Sequence, residues 1–140
     1  MPEGEDMPTW FNDVVKQADS GEKAAIRAVQ AWQHLIGKAA NRQIVRYEEL
    51  RDLMDYPTCN PLASILGCIM GYCEQHGLPP LTLLVVNKAG VPGAGFTAEE
   101  PGAYHRRREE VFTFPWLKLM APAIDELRQA SLHASAKVKN

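Results

Sequence analysis

The sequence has no apolar run approaching the ~20 residues that a membrane-spanning helix needs. It has no Cys-x2-Cys or His-x3-His unit, the spacing that usually announces a zinc site. It has no Gly-x-Ser-x-Gly elbow for a serine nucleophile, and no glycine-rich loop followed by Lys-Ser or Lys-Thr for a nucleotide phosphate. Charge of one sign is also missing: 15 Lys and Arg against 17 Asp and Glu leave a net charge of −2. No global positive field draws in a polyanion, so any such site has to be a local patch. The cysteines, Cys59, Cys68 and Cys73, are odd in number and fit no disulfide framework. With no apolar leader at the start, they point to free thiols in a reducing cytoplasm. No catalytic residue, metal or other cofactor is expected.

What is present fits one domain. The chain has 140 residues, enough to bury roughly 68% of the surface that its unfolded form exposes. Residues 1–7 are acidic with Pro and Gly and read as a frayed tail. Residues 8–130 read as a single α+β domain, mainly helical, and 131–140 as a mildly basic, flexible tail.

Trp10, Phe11, Val14, Val15 and Ala18 fall on one stripe of a short first helix. Asp19 and Glu22 form a capping-box pair for a second helix to about Lys38, burying Ala25, Val29, Trp32, Leu35 and Ile36 and turning His34 to solvent. Ile44 and Val45 read as a short strand, followed by a third helix from Tyr47 to Met54 with Glu48 and Glu49 suiting its dipole. Asn60 is the expected cap of a fourth helix, Pro61 its first residue and Gly77 its stop. Leu81 to Asn87 reads as a strand covered on both faces. Val91 to Phe96 reads as its Gly-rich return, so that a helix-turn-helix is followed by a small β-hairpin. Thr97, Glu100 and Pro101 favour the start of a helix through Tyr104 to Val111. Phe112 to Trp116 is expected to be extended, with its three aromatics packed on one face, and a last helix opens at Pro122 with Ile124, Leu127, Ala130 and Ser131.

Three groups of residues invite a functional reading. Cys73 and His76 sit three apart near the end of the fourth helix, where the dipole disfavours a thiolate, so a structural thiol is the expectation. Arg106, Arg107 and Arg108 form the strongest local positive patch, beside Tyr104 and His105 and followed at once by Glu109 and Glu110. That patch reads as a solvated helix face, as a phosphate-contacting surface or as a site for an acidic protein partner. From Pro61 to Gly71 the fourth helix carries no charge. Ala63, Gly67 and Gly71 form a small-residue line on it, flanked by Ser64 and Cys68. The line suits tight packing on a neighbour or close approach to a partner helix or nucleic-acid backbone.

The run from Ile44 to Gly90 resembles the winged-helix DNA-binding domain of alkylguanine alkyltransferases and alkyltransferase-like proteins. Val45-Arg46-Tyr47-Glu48-Glu49-Leu50 is similar to the family's Thr-Tyr-Gly-Glu-Leu-Ala segment. Ser64-Ile65-Leu66-Gly67 stands where the family has Arg-Ala-Val-Gly, and Leu81 to Val86 with Gly90 where it has Pro-Cys-His-Arg-Val-Val and a glycine turn. The resemblance covers about a third of the chain and departs at the chemistry. Thr82 replaces the alkyl-accepting cysteine, Leu83 and Leu84 replace the His and Arg, and Ser64 replaces the Arg inserted into the DNA stack. Tyr47 matches the family tyrosine near the flipped nucleotide's phosphate. Leu78 to Phe96 is also similar to stretches of small bacterial proteins.

The resemblance implies a winged-helix-like fold without alkyl transfer. The expected function is non-catalytic association with double-stranded DNA, with Arg46, Tyr47, Arg51, Ser64, Arg106, Arg107 and Arg108 as candidate contact residues. The alternative is a protein-interaction or homodimerisation module without nucleic-acid binding, using the uncharged helix. No membrane partner is expected.

Overall fold

Trp32 stands at the centre of the molecule, on a long helix whose Ala-rich face brings its neighbours close. The computed structural model describes residues 7–91 and 102–139, with side chains through position 132. Six helices and two very short strands make up the described chain: α1 (Phe11–Gln17), α2 (Ser20–Ala40), β1 (Val45–Arg46), α3 (Tyr47–Leu53), α4 (Leu62–Gln75), β2 (Val85–Val86), α5 (Ala103–Thr113) and α6 (Ile124–Lys139). Two 3-10 turns, Leu81–Leu84 and Trp116–Lys118, precede β2 and α6. The fold is mainly helical α+β around one core.

Asp19 caps α2 as the sequence predicts, its carboxylate accepting from the Glu22 N–H at 2.9 Å. Ala25, Ala28, Ala31, Trp32, Leu35 and Ala39 then line the buried face of α2. Small side chains there let α4 and α6 approach, and the Trp32 ring meets Tyr72 of α4 and Trp116 edge-on, at 5.7 and 5.6 Å between centroids. Such edge-to-face pairs add to the burial of the rings themselves.

The helix-turn-helix is α3 and α4. Asp55 turns the chain between them in the left-handed region, φ 60°, a conformation that Asp tolerates better than most residues. Asn60 does not cap α4. Its own N–H donates to the Thr58 hydroxyl, and Pro61 is the residue before the helix rather than its first. Gly77 does end it, at φ 63°, with Leu78 N–H returning to Cys73 O at 2.9 Å and Gly77 N–H to Glu74 O. These two bonds satisfy the last carbonyls of the helix.

The expected strand from Leu81 to Asn87 is shorter and differently paired. Its first half coils as a 3-10 turn, and only Val85 and Val86 extend, pairing in parallel with β1 in the register Val45 to Val85 and Arg46 to Val86. The coil after Pro79 and Pro80 buries Leu81, Leu83 and Leu84 together, where a strand would send alternate residues to opposite faces. A parallel pair needs a long crossover, and α3 and α4 supply it. Val85 and Val86 are covered on both faces, as an apolar parallel strand requires. The backbone does turn at 87–91, but the return of the expected hairpin at 92–96 and the expected capping residues at 97–101 lie outside the described residues.

Three other expectations change. No residue of α1 is buried, and Trp10 is 62% exposed, so the stripe rests only half-covered on α2. Phe112 to Trp116 is not a strand: α5 runs through Thr113, and Pro115 leads into the 3-10 turn that carries Trp116. The Trp116 indole N–H donates to Val111 O at 2.7 Å, which closes the end of α5 and sends the ring into the core. Past Ser131, the segment expected as a tail continues α6 to Lys139. Among the described residues, no helix is long and apolar enough to cross a membrane.

Candidate nucleic-acid interface

The two halves of α4 have different surroundings. Leu62, Ile65 and Leu66 bury one face of its first turns, while Ala63 and Ser64 are exposed on the other. Among the described residues, and apart from the helix's own backbone, no atom lies within 4 Å of the point where a side chain on Gly67 would begin. Farther along, Cys68, Ile69, Gly71, Tyr72 and Cys73 are all buried. The first turn of α4 has no acidic residue and no side-chain cap, and its first N–H, on Leu62, donates to the Cys59 carbonyl at 3.0 Å.

Three contacts hold the helix-turn-helix on α2. Glu49 of α3 accepts from His34 and, at 3.3 Å, from Lys38. His34, expected in solvent, is thus half-buried against α3. Gln30 donates to the carbonyl of Leu53 at the end of α3, at 3.3 Å, and accepts from Arg27 at 2.8 Å. Arg27, only 5% exposed, lies 5.2 Å from the Tyr56 ring centre, and its Nε has no hydrogen-bond partner. A buried guanidinium held by an amide and a ring was missed in the sequence, because a lone Arg among alanines carries no pairing signal. Asn12 of α1 reaches the same turn by donating to Asp55 at 3.0 Å.

Of the sequence-predicted residues, Arg46, Tyr47 and Arg51 lie together at β1 and on α3. Arg46 is exposed, and Tyr47 and Arg51 are partly covered. Burial, and then the neighbouring Cys59, push the Tyr47 phenol above its ordinary value. Arg51 is also raised, first by its hydrogen bond to Asp52 at 3.0 Å, with Cys59 again among its neighbours. Tyr47 and Arg51 thus flank the turn that leads to α4, where Ser64 occupies the open face.

The arginines at 106–108 belong to a different neighbourhood. Their helix, α5, packs on α2 and on the Leu81–Leu84 turn. Arg107 pairs with Glu110 at 2.8 Å. Arg108 lies 5.3 Å from the Tyr104 ring centre and 5.8 Å from that of Phe112, which it shares with Arg42 at 5.0 Å. Arg42 in turn binds Glu109 at 2.7 Å, an exposed pair that raises the arginine and holds the carboxyl below its usual range. Arg106 is exposed. The predicted cations therefore form two groups, one at β1 and α3 and one on α5 beside the end of α2.

The remaining chemistry is quiet. Burial pushes the Cys73 thiol up to about 11, far from a nucleophile's range. His76 is exposed and stacks on Tyr72 at 4.4 Å between ring centres. Cys68 is raised by burial too, with Ser131 hydrogen-bonded to it. Thr82 is half-buried on the 3-10 turn. Among the described residues, no group of three or more His, Cys, Asp or Glu is placed to hold a metal ion. No family model, curated protein or solved structure matches the chain.

Proposed function

We propose that this chain is a non-catalytic domain of winged-helix type that associates with double-stranded DNA through phosphate contacts, in the cytoplasm. The observation that carries this reading is the open face of α4 at Ala63, Ser64 and Gly67, uncharged and narrow, beside α3 with Tyr47 and Arg51. A helix whose outward side chains are small can seat its backbone close to another polymer. The positive end of its dipole, with no acidic residue in the first turn, favours anionic oxygen there. The order α3, turn, α4, β2 and an exposed turn at 87–91 supports the winged-helix assignment. Ser64 stands at the position of the family's inserted Arg and is exposed on α4, so the surface that would meet DNA keeps its place while losing its probe. Thr82 in place of the accepting cysteine, and a Cys73 thiol that burial keeps protonated, support a role without group transfer.

The test is fluorescence anisotropy of a labelled generic duplex titrated with the protein at several salt concentrations. Phosphate contacts predict binding that weakens linearly in log-log form, with a slope of about −0.9 for each phosphate neutralised. Absence of duplex binding at low salt overturns the proposal.

A second reading, self-association or a protein partner, is favoured by apolar side chains left in solvent between the 3-10 turn at 116–118 and α6. Leu117 is 68% exposed and Met120 88%. Sedimentation at micromolar concentration decides it: a monomer at every loading removes the homodimer.

A further inference from the structure

Several cations among the described residues already hold a carboxylate. Arg42 has Glu109, Arg51 has Asp52, Arg107 has Glu110, Arg128 has Glu22 and Lys38 has Glu49. Solvent-exposed pairs of this kind contribute little to stability, but each leaves a cation with less net field to offer a polyanion.

Arg46 and Lys88 are different. They stand 42 positions apart, and the parallel register of Arg46 with Val86 brings them to the same end of the two-stranded sheet. The Arg46 guanidinium donates to the Lys88 carbonyl at 3.3 Å. That bond uses one of its five N–H donors. The turn that presents Lys88 is held from within: the Asn87 carboxamide accepts from the N–H groups of Ala89 at 2.9 Å and Val91 at 3.1 Å. Both cations are exposed, and among the described residues neither has a carboxylate at ion-pairing distance. Arg46 also directly precedes Tyr47, so the pair adjoins the start of α3.

We propose that Arg46 and Lys88 act together as a clamp for a backbone phosphate of duplex DNA, which makes Lys88 a contact residue of the interface. The inference rests on the DNA reading above and deepens it. It places the phosphate grip at the turn after β2 rather than on the arginine-rich helix α5. A planar guanidinium anchored at the Lys88 carbonyl, and a flexible ammonium carried by that same exposed residue, suit a phosphate whose oxygens point in several directions.

The experiment measures the salt dependence of duplex binding for the wild-type chain, Lys88→Ala, Arg46→Ala and, as control, Lys16→Ala on α1. Lys88 sits in an exposed turn, so Lys88→Ala should keep the wild-type melting temperature. Its log-log slope should fall by about 0.9, the loss of one phosphate contact, with a similar fall for Arg46→Ala. Lys88→Arg should restore the slope, and Lys16→Ala should leave it unchanged. If the wild-type chain binds duplex and Lys88→Ala does not alter the slope, the clamp is wrong and the DNA reading stands. An equal fall in Lys16→Ala also overturns the clamp, because net charge alone then sets the slope. No duplex binding by the wild-type chain removes both.

Discussion

From Leu62 to Cys73 α4 carries no charge in sequence, yet the fold uses the two ends of this stretch in opposite ways. From Cys68 to Cys73 the helix is enclosed by α2 and α6, and even Gly71 is buried. From Leu62 to Gly67 only one face is enclosed, and Ala63 and Ser64 meet solvent. An uncharged helix is thus not by itself a core helix. What separates the halves is whether another element lies over the small residues. Over Gly67 there is none within van der Waals reach among the described residues.

Substitutions and pH can break or sharpen this contrast. The largest effect belongs to the enclosed half. Ile69, fully buried, should lose about 2–5 kcal/mol of unfolding free energy on change to Ala, from the lost transfer energy and the cavity. Denaturant melts measure it, and a loss below 1 kcal/mol (about a fifth of the upper figure) would mean that the half is loosely packed.

Next comes the alkaline limb. Burial pushes the Cys73 thiol from its ordinary 9.0 up to about 11, and Cys68, Tyr47 and Tyr72 also move upward. For such acids the fold favours the protonated form. Their stabilisation is whole below pH 9 and is lost as the pH rises from 9 to 11, by about 1.4 kcal/mol per pH unit for Cys73 alone. Melting temperatures across that range should fall for the wild-type chain and fall less steeply for Cys73→Ala. Parallel curves would show that the enclosed half holds no such thiol.

The open half should respond in binding rather than in folding. Ser64→Arg restores a cation on the exposed face, and the salt slope for duplex should steepen by about 0.9 with little change in melting temperature. Ser64→Gln, similar in bulk and uncharged, should leave the slope alone. If Ser64→Arg has no effect, the open face is not where DNA lies. The smallest effect is Gly67→Ala. With nothing to strike, the added methyl should stabilise the helix by about 0.5–1 kcal/mol through its better helix propensity. Destabilisation would mean that the face is covered in solution.

Helix positions were the legible part of this fold. Asp19 with Glu22, Pro61 and Gly77 mark helix ends through local backbone chemistry, and α2 to α4 follow them within a few residues. The errors arose where a distant partner decides the conformation. Leu81 to Asn87 has the composition of a strand, but only its two valines find β1, and the rest coils to bury three leucines at once. Phe112, Phe114 and Trp116 alternate like a strand, but the Trp116 ring packs edge-on against the distant Trp32 while its indole N–H bonds back to Val111 at the end of α5. In the candidate site, Arg106, Arg107 and Arg108 drew notice because they are adjacent, and two of them prove to be occupied by neighbours on α5. Lys88 carried no local signal, since its companion Arg46 lies across the sheet.

The amino-acid sequence alone settled the number and placement of most helices and the single core. These depend on period, caps and residue types read within one or two turns. The tertiary structure alone decided which face of α4 stays open, that Arg27 is buried beside Tyr56, and that the Arg46 guanidinium reaches the Lys88 carbonyl with no carboxylate among the described residues paired to either. The physical reason is that burial and net field belong to neighbours in space. In a chain whose two strands pair across a crossover of two helices, those neighbours are far apart in order.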